Sequence, residues 1–296
     1  MPFSELLQYI LTGLTVGCVY ALVALGFTII YNATGIINFA QGEFVVLGGL
    51  LFYTLFVPAH LPLIVALLLT VAAVAILGLL MERLTIRPLR NAPAVTLIIV
   101  TIGVSVILRG VAKLIWGPDS FSVPAFSGDK SIFLGGAAVQ MQYLWVVGLT
   151  IVVVAGVRLF FDRTLTGKAM QACAINSEAA RLAGISVERM VQLSFGLSAA
   201  VSALAGAIIS PLTFAAYDGG TVLGLKGFAG AIIGGLGNGL GAVLGGAVVG
   251  LLENLGVGLS PQGAAGYQDA FAFVVLLLVL FLKPSGLLGK RRTEGV

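Results

Sequence analysis

Side chains that catalyse or hold metals are scarce in this chain. Its single histidine, His60, stands between Pro58 and Pro62 in a predicted turn, which excludes a multi-histidine metal site and leaves little for a nucleophile–histidine triad. The two cysteines, Cys18 and Cys173, lie far apart, one in an apolar run and one in a polar island, which argues against a disulfide framework. No G-x-x-x-x-G-K-[ST] occurs, so the chain does not itself bind ATP through a P-loop. "GNGLGA" at 237–242 matches the loose dinucleotide fingerprint, but it follows no soluble strand, and no acid stands about 20 residues on. Charge is the largest deficit: 9% of residues are charged, where a soluble domain carries about 25%. Catalytic residues, cofactors, bound metal and nucleic-acid partners are accordingly not expected.

What fills the space is apolar. Hydrophobic residues make up 59% of the chain and mean hydropathy is +1.10. A helical crossing takes about 20 mostly apolar residues, so 296 residues leave room for about eight crossings and no large soluble domain. The expected fold is all-α: one transmembrane helical bundle over residues 1–296 with a glycine-rich broken or re-entrant hairpin. Spans are predicted near 6–30, 43–57, 62–81, 92–116, 141–161, 190–212, 222–258 (two passes) and 268–283. The first run has no Lys or Arg before it, is too long for a secretory signal and lacks a cleavage site, so it reads as a retained first helix.

Lys and Arg accumulate on the cytoplasmic side of short loops. With these spans, twelve of the sixteen cations fall on one face. They are Arg83, Arg87 and Arg90; Arg158, Arg163, Lys168, Arg181 and Arg189; and Lys283, Lys290, Arg291 and Arg292. The polar island at 162–190 is then cytoplasmic, as is the C-terminus, the "GNG" at 237–239 is an inner turn, and the N-terminus faces out. Arg109, Lys113, Lys130 and Lys226 are left over; Arg109, Lys113 and Trp116 read as an outer-interface anchor.

Residues 117–140 form the sizeable outer connection, with Pro118, Asp119, Pro124, Asp129 and Lys130 as turn and solvation signals, and read as a solvated connector between two halves. "FAQGEFVVLGGL" at 39–50 and "FAGAIIGGL" at 228–236 hint at an inverted repeat. The 40 glycines cluster at four-residue spacing, as in Gly230/Gly234, Gly237/Gly241/Gly245 and Gly246/Gly250, which lets helix backbones touch in lipid. Intramembrane polar groups are few. Asn38, Gln41 and Glu43 interrupt two apolar spans in "GIINFAQGE" and are expected beside a translocation route, although a helix break that only packs would read the same way. Glu253 and Asn254 are expected to face the bundle interior.

The island "TGKAMQACAINSEAARLAGISVERM" at 166–190 is helix-prone. Thr166 is placed to cap a first short helix whose Ala169, Met170 and Cys173 share a face. Asn176 or Ser177 caps a second, with Glu178 in its first turn and Gly184 as its stop. Ala179, Ala180 and Ala183 leave that helix thin. Periodicity leaves open a docking element and a solvated connecting loop.

"EAARLAGI" at 178–185 resembles the E-A-A-x-x-x-G coupling element of ABC importer permeases, and the whole island is similar to the form typical of branched-chain amino-acid permeases of the Liv type. The resemblance extends through "GLTVGCVYALVALGFTIIYNATGIINFAQGEF" at 13–43, "ERLTIRPLR", "AAVSALAGAI" at 199–208, the glycine-rich hairpin and "KPSGLLGK". It implies a prokaryotic inner-membrane subunit that pairs with a second homologous permease, binds two cytoplasmic ABC ATPase subunits and accepts substrate from an extracytoplasmic binding protein. It also implies that Glu178, Ala179, Ala180 and Gly184 form the coupling element. Urea permeases of the same superfamily share most of these residues, and an ion-coupled secondary transporter is the rival class.

Overall fold

The computed structural model describes residues 3–128, 130–134, 136–259, 268–283 and 285–289. Asp129 and the tail cations Lys290, Arg291 and Arg292 lie outside the described residues. Eleven α-helices carry the described chain: α1 (Phe3–Thr34), α2 (Gln41–Phe56), α3 (Leu63–Met81), α4 (Ala94–Trp116), α5 (Met141–Arg163), α6 (Leu165–Ile175), α7 (Ser177–Leu182), α8 (Val187–Thr213), α9 (Gly220–Gly234), α10 (Gly239–Leu259) and α11 (Gln268–Leu282). The expected spans all recur as helices. Six are long and apolar enough to cross a membrane, namely α1, α4, α5, α8, α10 and α3 with the turns that continue it to Leu89. The chain is a multi-pass membrane protein. Helices α2 and α9 are shorter because both begin inside the bundle.

Burial divides the bundle into a centre and a rim. Helix α1 is enclosed at almost every residue from Thr15 to Ile30, and α8 is similarly enclosed from Ser194 to Ser210. Helices α3, α4 and α5 are mostly apolar and leave large side chains such as Ile64, Leu68, Ile99, Val106 and Ile151 exposed, as a lipid-facing helix must. Glycine sets the contacts at the centre. Helices α1 and α10 run antiparallel so closely that a Cβ on Gly250 would collide with the backbone of Gly17. Helices α9 and α10 form a hairpin in which Gly230 lies on Gly246 and Gly234 on Gly241, so the four-residue spacing is indeed a packing seam. Helix α2 lies parallel to α8, with Val45 on Gly206 and Gly48 on Ala203.

Proline marks two entries: Pro62 precedes α3 and Pro93 precedes α4, where a missing N–H costs nothing. Helix α3 ends in a π-turn over Glu82–Ile86 and a 3-10 turn over Arg87–Leu89. The connection expected to be a plain solvated loop contains an antiparallel hairpin, β1 (Ser131–Leu134) and β2 (Ala137–Gln140). Phe121 also bridges to Ala215, just beyond α8. The "GNG" turn is tied to the end of α1 by Asn32 Nδ2 donating to Gly237 O (3.0 Å) and to the tail by Asn238 Nδ2 donating to Leu288 O (3.0 Å).

Candidate functional site

The break between α1 and α2 is built from short polar residues. After Thr34 the chain reverses at Gly35 (φ +71°), and Ile36 N donates to Thr34 Oγ1 (3.3 Å). Phe39 N donates to Thr101 Oγ1 of α4 (3.1 Å), and Ala40 N to Asn38 Oδ1 (3.1 Å). Backbone groups freed by the break thus find partners, as the low-dielectric interior requires. Helix α2 begins level with residues 101–105 of α4 and with Ser198 of α8, about three turns into the latter, so its N-terminus lies within the bundle.

The three polar residues of the break face different ways. Asn38 is fully buried and turns onto its own loop, leaving Nδ2 without a partner. Gln41 fastens α2 to α8 and α1: its Nε2 donates to Ser202 Oγ (2.6 Å), while Ser198 Oγ lies 2.9 Å from Gln41 Oε1 and 2.8 Å from Gly26 O. Its amide is satisfied by protein. Glu43 faces α4 and α9 instead. Its Oε1 accepts from Ser105 Oγ (2.9 Å) and Arg109 Nη2 (2.9 Å), and Arg109 also reaches Thr221 Oγ1 at the start of α9. The other oxygen, Oε2, lies against Gly220, the first residue of α9, buried and unpartnered. Gly42 packs on Gly220 as well, so the N-termini of two half-length helices meet at this carboxylate. Positive helix ends favour an anion there.

Arg109 is therefore no outer anchor. Its position fifteen residues into α4 puts the guanidinium beside Glu43, where pairing offsets part of the cost of two charges in the bundle. Trp116 donates inward too, to Thr54 Oγ1 (2.8 Å), and Lys113 Nζ lies 5.5 Å from the centre of the Tyr217 ring.

A second buried pair joins α9 to α10. Lys226 Nζ donates to Glu253 Oε1 (2.7 Å) with side chains 6% and 0% exposed, and the same ammonium lies 5.5 Å from the Tyr20 ring centre on α1. Glu253 and Asn254 both face the interior; Asn254 Nδ2 donates to Gly250 O of its own helix (3.0 Å). Sequence reasoning left Lys226 over. The signal was that Lys226 and Glu253 are the lone cation and lone anion of the apolar stretch 222–258, and lipid tolerates neither unpaired. Ser105 and Arg109 could have been found as an i, i+4 pair on one face of α4. Ser198, Ser202 and Thr221 carry no such signal.

The island folds as α6 and α7. Thr164, two residues before the expected Thr166, caps α6 by accepting from Gly167 N (2.9 Å), because Thr164 is extended (ψ 149°) and Thr166 is already helical. Met170 and Cys173 are buried on the shared face, and burial pushes the Cys173 thiol pKa up, as for a packing residue and not a nucleophile. Asn176 Oδ1 accepts from Glu178 N (3.0 Å) and Ala179 N (2.9 Å), and Gly184 (φ +84°) ends the turn beyond α7. Glu178, Ala179 and Gly184 are exposed, whereas Ala180 faces inward. Beside them stand two large apolar side chains, Ile175 (87% exposed) and Leu182 (88% exposed). Unlike the lipid-facing residues of α3 to α5, these belong to short helices of a polar stretch.

Among the described residues no three histidine, cysteine or acidic side chains gather as metal ligands. A sequence model of the family described as branched-chain amino acid transport system / permease component matches residues 9–280. The chain is 31% identical over 303 residues, 98% of each chain, to the high-affinity branched-chain amino acid transport system permease protein BraD of Pseudomonas aeruginosa. It is also 31% identical to the corresponding protein LivH of Escherichia coli K12, with 99% of each chain covered. The probable branched-chain amino acid transport permease protein LivH of Methanocaldococcus jannaschii is 28% identical over 90% of this chain and 88% of its own. No solved structure matches the chain.

Proposed function

The chain belongs to the family of branched-chain amino acid transport permease components, and from that premise we propose that it is the membrane-spanning subunit of an ABC importer for branched-chain amino acids. The carrying observation is the family match over residues 9–280 together with near full-length likeness to permeases named for that substrate. Energy is supplied by two separate cytoplasmic ATPase subunits, substrate by an extracytoplasmic binding protein, and the pore is completed by a second homologous permease. The α6–α7 face is then cytoplasmic, with the C-terminus, and the N-terminus is outside. Gathering of the α1 end, the α3 end, α7, the α8 start and the "GNG" turn on one face supports that orientation.

In this reading α7 is the coupling element. Glu178, Ala179 and Leu182 enter an ATPase groove, Ala180 holds the helix to its own subunit, and Gly184 allows the exit into α8. The support is the slim exposed helix flanked by Ile175 and Leu182, whose apolar surface has no lipid to cover it. Glu43 stands beside the translocation route, because its unpartnered oxygen sits where two half-length helices meet, an arrangement suited to recognising polar ends of a substrate.

Reconstitution of the permease with its partner permease, ATPases and binding protein tests the proposal. ATP-dependent uptake of leucine, isoleucine and valine is expected; uptake of urea with none of the three would overturn the substrate assignment. Ile175→Ser with Leu182→Ser should leave the permease inserted but strip the ATPases from it in pull-down. Full ATPase recovery and full uptake would return α7 to the role of a connecting loop.

A further inference from the structure

A cavity of about 330 Å³ opens between the end of α1, the π-turn after α3, the start of α4, α7 and the start of α8. That volume is at the small end of ligand pockets, about 300–1,000 Å³. Three kinds of wall meet in it. Glu82 is buried (2% exposed) with Oε2 unpartnered, a carboxylate in need of a cation. Opposite charge comes from Arg87, Arg90 and Arg181; the first two also hold Glu188, Arg87 at 2.6 Å, and Arg181 makes no side-chain ion pair among the described residues. The remaining wall is apolar and supplied by Ile36, Ile86 and Leu97.

An unpartnered carboxylate oxygen on Glu82, the guanidinium of Arg181 left over once Glu188 has engaged Arg87 and Arg90, and an apolar wall around so small a volume match one ligand class. We propose that this cavity binds a free α-amino acid with an apolar side chain. Its ammonium is taken by Glu82, its carboxylate by the arginine side, and its side chain by the isoleucine–leucine wall. Guanidiniums suit carboxylates because their donors form a planar fork. Glu82 itself still follows α3, its N–H donating to Gly78 O as in a regular helix; the π-turn, closed by Arg87 N–H reaching back to Glu82 O, shifts the residues after Glu82, among them Ile86 and Arg87 of the cavity wall.

Position gives the site its consequence. Ser177 and Arg181 of α7 line the cavity together with Val187 and Glu188 at the start of α8. A ligand seated there bridges the end of α3 to the coupling element and holds that element where it lies in this structure. Nucleotide-driven movement must then break those contacts, so the ligand opposes turnover. Resting on the proposed function, which makes this face cytoplasmic, the site senses the imported product and slows further import.

Proteoliposomes with the ATPases facing the bath test this, with binding protein and leucine enclosed in the lumen. Lumenal leucine stimulating ATP hydrolysis reports the importer itself. Leucine added to the bath should then lower the stimulated rate about fivefold, a usual allosteric coupling. Leucinol, which lacks the carboxylate, and 4-methylpentanoate, which lacks the ammonium, should not. Glu82→Gln should keep lumenal stimulation and lose the response to bath leucine. Ala33→Leu, which narrows the cavity from α1 without touching a charge, should do the same and serves if the first variant is poorly inserted. The site is refuted if millimolar bath leucine leaves the wild-type rate unchanged, if leucinol inhibits as well as leucine, or if both variants remain inhibited. Slowed transport in Glu82→Gln with no response to bath leucine in wild type would refute it too, making the cavity an exit of the pathway.

Discussion

Glu43–Arg109 and Lys226–Glu253 are both carboxylate–cation pairs inside the bundle, 2.9 and 2.7 Å long, yet their surroundings differ. The second is sealed: both side chains are enclosed, and the helices around it are held together by glycine-to-backbone contacts of α1, α9 and α10. The first is open on the α4 side, where Arg109 is 32% exposed, although Gly42 of α2 packs closely on Gly220 of α9 beside Glu43. Gly110, next to Arg109 in sequence, is on the exposed face of α4, where a Cβ would meet nothing within 4 Å. Charge pairing alone therefore does not tell a clamp from a moving part. Enclosure of the pair does, since a pair with both members packed in cannot shift without straining the interior around it, whereas one with an exposed member has a side free to move.

The sharpest test removes one half of the sealed pair. Lys226→Leu leaves Glu253 buried and uncompensated and should cost about 3–5 kcal/mol, read as a large fall in the unfolding midpoint of the purified complex. Adding Glu253→Leu to it should recover most of that loss, because the uncompensated charge is then gone. Equal stability of wild type and Lys226→Leu would show that the pair is not a clamp.

Next in size is the packing that encloses it. Gly250→Val places a side chain against the backbone of Gly17, where nothing flexible can give, and should cost about 3 kcal/mol, checked by the same unfolding measurement. A neutral result would mean that α1 and α10 separate easily and that the sealed region is not sealed.

Smaller in stability, with its main effect expected on uptake, is Glu43→Gln. The amide keeps an acceptor for Ser105 and loses the charge that holds Arg109. Uptake should fall about tenfold, equivalent to roughly 1.4 kcal/mol, with the unfolding midpoint near wild type. Should the midpoint fall as far as in Lys226→Leu while residual uptake follows the amount folded, the two pairs would be alike and the comparison would collapse.

Least of all is Gly110→Ala on the open side. With free space and an ordinary helical backbone, it should stabilise α4 by about 0.4–1 kcal/mol, seen as a small rise in the unfolding midpoint with uptake retained. Marked destabilisation would mean that another helix lies against α4 in the assembled transporter.

Class of molecule and order of its segments could be read from composition and pattern. Hydrophobic runs of crossing length can only be helices in lipid, because no water satisfies their backbone, so the all-α bundle and its segments were legible. The four-residue glycine spacing announced backbone contact, Gly184 announced the stop, and Asn176 or Ser177 the cap, since each is a local rule of a few residues; the structure selects Asn176. Tertiary structure alone decided who meets whom. That Arg109 turns to Glu43, that Gln41 and Glu43 face opposite ways, and that Ala180 turns inward while Ile175 and Leu182 stand out depend on how helices far apart in sequence rotate against one another. The gathering of Glu82, Glu188 and three arginines around one cavity has the same origin. Helical rotation is set by the sum of many weak packing contacts across the bundle, and no short stretch of sequence contains that sum.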